Sequence, residues 1–147
     1  MALFTELSIH KTKKGYRLFR SPIETIKTLR DSCIDIILND GTKNTPPYEV
    51  EFTLLNDRDA RVQIGNAWFE YDSDNHKINT SSKKCYEICS DNDLFVRIIV
   101  DTRSAEVYLQ DEITMSFFVK QAETKVECEN SVKGKLYTLK SIWDENV

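Results

Sequence analysis

The sequence has 147 residues, of which 40% are hydrophobic and 30% are charged, and its formal net charge at pH 7 is −4. This is the composition of one globular domain, and a chain of about this size buries roughly 68–70% of the surface exposed when it is unfolded. The acidic balance, with no Lys/Arg run longer than two residues, argues against a nucleic-acid-binding surface. No run of about 18 apolar residues is present, so we predict no membrane partner. The sequence alone assigns no compartment.

The first distinct element is a short helical pattern. In SPIETIKTLR an apolar residue recurs at every third position, at Ile23, Ile26 and Leu29. Ser21 and Glu24 are three residues apart and have the spacing of a capping box, and Pro22 occupies the first helical position. The pattern predicts one short helix near 22–30, covering an end or an edge of the sheets.

Most of the remaining sequence alternates between apolar and polar residues. In YEVEFTLL, Val50, Phe52 and Leu54 face one side of a predicted strand, and Glu49 and Glu51 face the other. The same period of two recurs in ARVQIG and AWFEYD, and from position 94 to 119. Strands with one dry and one wet face are typical of antiparallel sheets. With frequent Asn, Asp and Gly turn signals, this predicts an all-β fold, a two-sheet antiparallel β-sandwich of about eleven to twelve strands.

The predicted core follows from the same alternation. Because their neighbours on the opposite face are mostly polar or charged, four apolar residues are expected between the two sheets: Phe52, Ile98, Val107 and Phe117.

A strand–turn–strand stretch, LFVRIIVDTRSAEVYLQDE, places three polar side chains close together. Asp101, Ser104 and Glu106 have the residue types of an acid, a nucleophile and a base. However, Asp and Ser at a turn commonly hydrogen-bond to nearby backbone groups, and no histidine lies near enough in sequence to activate the serine. We therefore favour a structural role for all three.

The four cysteines do not form a recognisable metal motif; they are Cys33, Cys85, Cys89 and Cys128. Cys85 and Cys89, with His76 upstream, do not have a standard zinc spacing. We interpret the cysteines as small apolar strand residues, leave a disulfide open, and predict no metal or other cofactor. Both histidines, His10 and His76, are expected at the surface.

Four stretches, in the same order and spacing, resemble the C-terminal β-sandwich module of glycoside hydrolase family 32, the invertases, levanases and inulinases. They are TELSIHKTKKGYRLFRSPIETIKTLR, YEVEFTLL with FEYDSDNHKINTSS, LFVRIIVDTRSAEVYLQDE and LYTLKSIW. In the third stretch the signature positions of the family are matched by Asp101, Ser104, Glu106, Val107 and Tyr108. The resemblance covers nearly the whole chain.

The resemblance implies an accessory role. In this family the catalytic carboxylates lie on an N-terminal five-bladed propeller, in motifs like WMNDPN, RDP and EC. The first two motifs are absent here, and Glu127-Cys128, which spells the third, is taken as a coincidence. We therefore expect residues 1–147 to be a single β-sandwich domain, excised from a larger enzyme, whose partner is the propeller of the same polypeptide.

Two other functions stay open. Trp68 could stack on sugar rings in a fructan-binding, lectin-like module, although covering a sheet face or a domain interface is the preferred role for this residue. A complete small enzyme is disfavoured by the missing motifs. We also expect an uncovered apolar surface that promotes self-association, with Trp68, Ile142 and Trp143 as candidate contacts.

Overall fold

The structure is a computed structural model that describes residues 5–12, 15–22, 30–38, 47–88, 92–101, 103–110, 113–119, 125–128 and 132–139. These residues form thirteen strands: β1 (Thr5–Thr12), β2 (Gly15–Pro22), β3 (Arg30–Ile37), β4 (Tyr48–Leu54), β5 (Ala60–Ile64), β6 (Ala67–Asp72), β7 (Lys77–Thr80), β8 (Cys85–Glu87), β9 (Leu94–Val100), β10 (Ser104–Leu109), β11 (Ile113–Phe118), β12 (Val126–Cys128) and β13 (Lys133–Leu139).

Eleven of these strands form two antiparallel sheets. The six-stranded sheet has the order β11-β10-β9-β4-β13-β3, and the five-stranded sheet has the order β12-β5-β6-β7-β8. β1 and β2 form a separate hairpin in which Thr12 pairs with Gly15. The predicted all-β class and the predicted two-sheet architecture are both confirmed.

The core lies between the two sheets. One continuous cluster of buried side chains contains Val50, Phe52 and Ile98 from the six-stranded sheet together with Val62 and Phe69 from the five-stranded sheet. All four predicted core residues are buried, which confirms the assignment of the inner faces. Burying each large apolar side chain contributes about 1.5–3 kcal/mol, so this shared cluster holds the sheets together.

The outer face of the six-stranded sheet departs from the expected wet face. Glu49 is completely buried, and Tyr108 and Ile99 are nearly so, although all three point away from the core. Tyr108 and Ile99 form a second, smaller apolar cluster against which Leu139 packs. The expectation that this face is in water is therefore wrong at one end of the sheet, because side chains of neighbouring strands cover it.

The predicted helix near 22–30 falls largely outside the described residues, which leave out 23–29. Its two bounding residues are extended: Pro22 ends β2 and Arg30 begins β3. Among the described segments, no helix has the length and apolar character needed to cross a bilayer.

Candidate functional site

The signature stretch forms the turn between β9 and β10. The backbone N–H of Asp101 donates a hydrogen bond to the carbonyl oxygen of Ser104 at 2.8 Å, and Ser104 lies opposite Phe118 in the next strand. Val107 is fully buried in the core. The structure thus uses Asp101 and Ser104 in closing a hairpin.

Glu106 and Tyr108 lie two residues apart on the outer face of β10. The Tyr108 hydroxyl donates to Glu106 Oε2 at 2.9 Å. Burial, reinforced by the negative charge of Glu106, raises the pKa of Tyr108, so its hydroxyl remains a proton donor throughout the physiological range. His76 lies on the other sheet, in the exposed turn after β6, where its Nδ1 is 3.3 Å from the Tyr71 hydroxyl. The structure therefore places His76 beside Tyr71 rather than beside Ser104.

A network of four charged side chains crosses the outer face of the six-stranded sheet. Arg30 Nε donates to Glu49 Oε1 at 2.7 Å, and Arg30 Nη2 donates to Glu51 Oε1 at 2.5 Å. Arg97 Nε approaches Glu49 Oε2 at 3.4 Å and Glu51 Oε1 at 3.6 Å. The Arg30 guanidinium also lies over the ring of Tyr137, 3.8 Å from its centroid. Arg30 thereby reaches from the edge strand β3 across β13 to β4.

The charges of this network balance. Burial opposes the charge on Arg30, but the hydrogen bond and charge of Glu49, followed by those of Glu51, raise the pKa of Arg30 above its ordinary value. Glu49 Oε2 and Arg97 Nε are close but not aligned as a hydrogen bond, so their attraction is mainly that of two opposite charges. Such a buried set is stable only while every member is present. This arrangement is structural, since each carboxylate is already occupied by a cation.

A groove of about 450 Å³ begins beside Glu51 and extends toward the other end of the same outer face. We call it the Phe95 groove; it is lined by Glu51, Phe52, Thr53, Leu55, Phe95, Val132, Lys133, Gly134 and Lys135. Its exposed side chains combine an apolar wall, Phe95 and Leu55, with the two lysines of β13. This combination suits an apolar group that is accompanied by a negative charge.

The outer face of the five-stranded sheet is polar. Arg61 Nη1 donates to Glu70 Oε1 at 2.9 Å, and its guanidinium lies over the Trp68 ring, 4.4 Å from the centroid. A groove of about 390 Å³ beside them is lined by Asp59, Ala60, Arg61, Glu70, Tyr71, Asp72 and Asn79. Because Arg61 occupies one face of the Trp68 ring, that face is not open to a sugar.

The remaining candidates are scattered. Cys33 and Cys85 are exposed and Cys128 is buried; none of these three described cysteines forms a disulfide, and Cys89 lies outside the described residues. Glu127 is exposed on β12, opposite Gln63. Ile142 and Trp143 also lie outside the described part of the chain. Within that part, no group of three or more His, Cys, Asp or Glu side chains is arranged to hold a metal ion.

Sequence patterns alone missed Arg30, Arg97 and the Phe95 groove. One signal was present in LFVRIIV, where Phe95 and Ile99 place apolar side chains on the face that should be polar. A strand that is apolar on both faces indicates a covered outer face.

Comparison with known proteins gives a consistent picture at the level of the fold. No protein-family profile matches the sequence, and no curated protein is similar enough to match. Among solved structures, a GH32 β-fructofuranosidase from Bombyx mori superposes with a TM-score of 0.79 at 19% identity, covering 95% of this chain and 32% of that enzyme.

Two further enzymes agree. Sucrose-6-phosphate hydrolase from Lactobacillus gasseri has a TM-score of 0.70 at 18% identity, and the match covers 94% of this chain and 33% of that enzyme. Exo-inulinase from Aspergillus awamori has a TM-score of 0.72 at 14% identity, with 97% and 36% covered. The chain spans about a third of the length of each of these enzymes. The 147 residues therefore have the fold of a β-sandwich module that makes up about one third of GH32 β-fructosidases.

Proposed function

We propose that this chain is a non-catalytic, C-terminal accessory domain of a β-fructosidase-type glycoside hydrolase, and that it packs on and stabilises the catalytic propeller of the same polypeptide. The observation that carries the proposal is the asymmetry of coverage. Nearly all of this chain, but only about a third of each enzyme, is matched.

The chemistry of the described residues supports a non-catalytic role. A pair of glycosidase carboxylates needs one group to protonate the leaving oxygen and a second to attack or to activate water. Here Glu49 and Glu51 are held by arginines, and Glu106 accepts a hydrogen bond from Tyr108. These carboxylates are engaged within the sheet.

The test compares the 147-residue chain with the native polypeptide that carries it. Mass spectrometry of the native protein should find a polypeptide well above 17.1 kDa. That polypeptide is expected to release fructose from sucrose, levan or inulin, whereas the 147-residue chain releases none. Turnover by the short chain that disappears in Glu127→Gln would overturn the proposal, because it would show a catalytic carboxylate within these residues.

Fructan binding is the alternative, and it has its own test. Titration calorimetry of the chain with inulin and levan is expected to give no binding heat, because Arg61 covers one face of the Trp68 ring. Saturable heat that is lost in Trp68→Ala and retained in the matched surface variant Lys77→Ala would favour a sugar-binding module.

A further inference from the structure

We propose that the Phe95 groove is the surface on which the catalytic domain docks, and that this domain presents an apolar side chain next to a carboxylate. The apolar side chain lies against Phe95 and Leu55, and the carboxylate pairs with Lys133. The inference rests on the proposed accessory function and names the surface that carries it out.

Three large apolar side chains at this end of the outer face are exposed to solvent. Phe95 is 37% exposed, and Leu55 and Ile37 are each 46% exposed. They lie at one end of the outer face: Phe95 is in register with Thr53, Leu55 follows the end of β4, and Ile37 is opposite Lys133. Clusters of exposed large apolar side chains mark interaction surfaces in soluble proteins, while single ones are ordinary. Phe95 and Leu55 both line the groove, and Ile37 lies on β3 opposite its lysine Lys133. This grouping at one end of the face is therefore the informative feature.

Lys133 lacks the carboxylate neighbours that flank Lys135 on the same strand. Lys135 lies in register between Asp35 on β3 and Glu51 on β4, so carboxylates flank it on both sides. Lys133 is instead opposite Ile37, and within the described part of the chain neither lysine forms an ion pair. A carboxylate from the docking domain would supply the missing partner beside the apolar wall.

The other outer face fits this role less well. On the five-stranded sheet, Arg61 is already engaged by Glu70 and by the Trp68 ring. No large apolar side chain that is exposed belongs to that sheet among the described residues. By contrast, the Phe95 groove continues a sheet face whose other end is already buried around Glu49. Interdomain interfaces bury about 600–1,500 Å², which is more than a groove of this size provides, so we expect the contact to extend beyond it.

Hydroxyl-radical footprinting of the native full-length polypeptide, read by mass spectrometry, tests the surface. Oxidation of Phe95 and Leu55 is expected to be about fivefold slower than in the 147-residue chain, because the core of an interface excludes water. Trp68, on the other sheet, should be oxidised at similar rates in both proteins. Lys133→Glu in the full-length polypeptide should restore fast oxidation of Phe95, whereas Lys77→Glu, an exposed lysine of β7, should not.

The outcomes separate the two proposals. Protection of Phe95 and Leu55 that is relieved by Lys133→Glu supports the docking surface. Protection of Trp68, with Phe95 and Leu55 unchanged, overturns the surface but leaves the accessory function in place. A native polypeptide of only 17.1 kDa refutes the accessory function. In that case, concentration-dependent protection of Phe95 in the short chain would identify a second copy as the occupant and would overturn docking of a catalytic domain.

Discussion

The two ends of the outer face of the six-stranded sheet are built from the same strands but differ in what covers them. At one end, Glu49 is fully buried, and Tyr108 and Ile99 are 1% and 6% exposed. At the other end, Phe95 is 37% exposed. Phe95 and Ile99 are four residues apart on β9, or about 13 Å along the strand. Exposure thus changes sharply within a single strand.

The difference shows how a charged group and an apolar group depend on their partners. Glu49 can be buried because Arg30 and Arg97 approach both of its oxygens. Phe95 and Leu55 are left partly in water, beside a lysine that forms no ion pair with the described residues. The charges at the covered end are therefore balanced by described residues, while the open end keeps large apolar side chains partly exposed.

The largest expected difference is between the stability losses caused by alanine substitutions on the inner face and at the open end of the outer face. Phe52→Ala should reduce the free energy of unfolding by about 3–5 kcal/mol, because it leaves a cavity in the core. Phe95→Ala should cost less, about 1–2 kcal/mol in the isolated chain, because Phe95 is 37% exposed and therefore only partly buried. Urea unfolding of both variants measures the two values. A cost below about 1 kcal/mol for Phe52→Ala would show that the faces are inverted.

Substituting Glu49 tests how much the charged network stabilises the covered end. Glu49→Gln should cost about 3 kcal/mol, because Glu51 alone is then left to balance the charges of both Arg30 and Arg97, which are mostly buried. The control is Glu70→Gln in the Arg61–Glu70 pair, whose side chains are 36% and 39% exposed. An exposed pair of this kind contributes at most about 1 kcal/mol. Equal losses in the two variants, measured in urea, would mean that the Glu49 network is no more than a surface ion pair.

The inner faces were predictable from the sequence, and the state of the outer faces was not. A period of two assigns Val50, Phe52 and Leu54 to one side of β4 without any knowledge of its neighbours. Whether the opposite side is wet depends on side chains brought in by other strands. Glu49 is buried because Arg30, 19 residues away in sequence, lies across it. Pairing of β13 between β3 and β4 creates that contact, and local alternation carries no information about it.

The close approach of β13 to β4 at Gly134 can be tested by adding a side chain there. This glycine pairs with Phe52, and an added Cβ would lie 2.6 Å from the Glu51 carbonyl oxygen and 3.2 Å from Phe52 Cβ. Gly134→Ala should therefore force β13 and β4 apart and cost about 1–3 kcal/mol. Lys135→Ala, at the next and exposed position, should change stability by about 0.5 kcal/mol or less. If both variants unfold at the same urea concentration, the close approach at Gly134 is not tight.

The smallest effect is a pH dependence at the covered end. An unfolded tyrosine loses its proton near pH 10, whereas burial and Glu106 raise the pKa of Tyr108 in the folded chain. Above about pH 10 the unfolded state releases this proton first, so the free energy of unfolding falls as pH rises. Tyr108→Phe should reduce that slope by up to about 1.4 kcal/mol per pH unit. Part of the slope should persist, because the pKa values of Tyr71 and Tyr137 are also raised. Parallel stability curves for wild type and Tyr108→Phe, measured from about pH 9 to 11, would show that this hydroxyl is not held in a buried site.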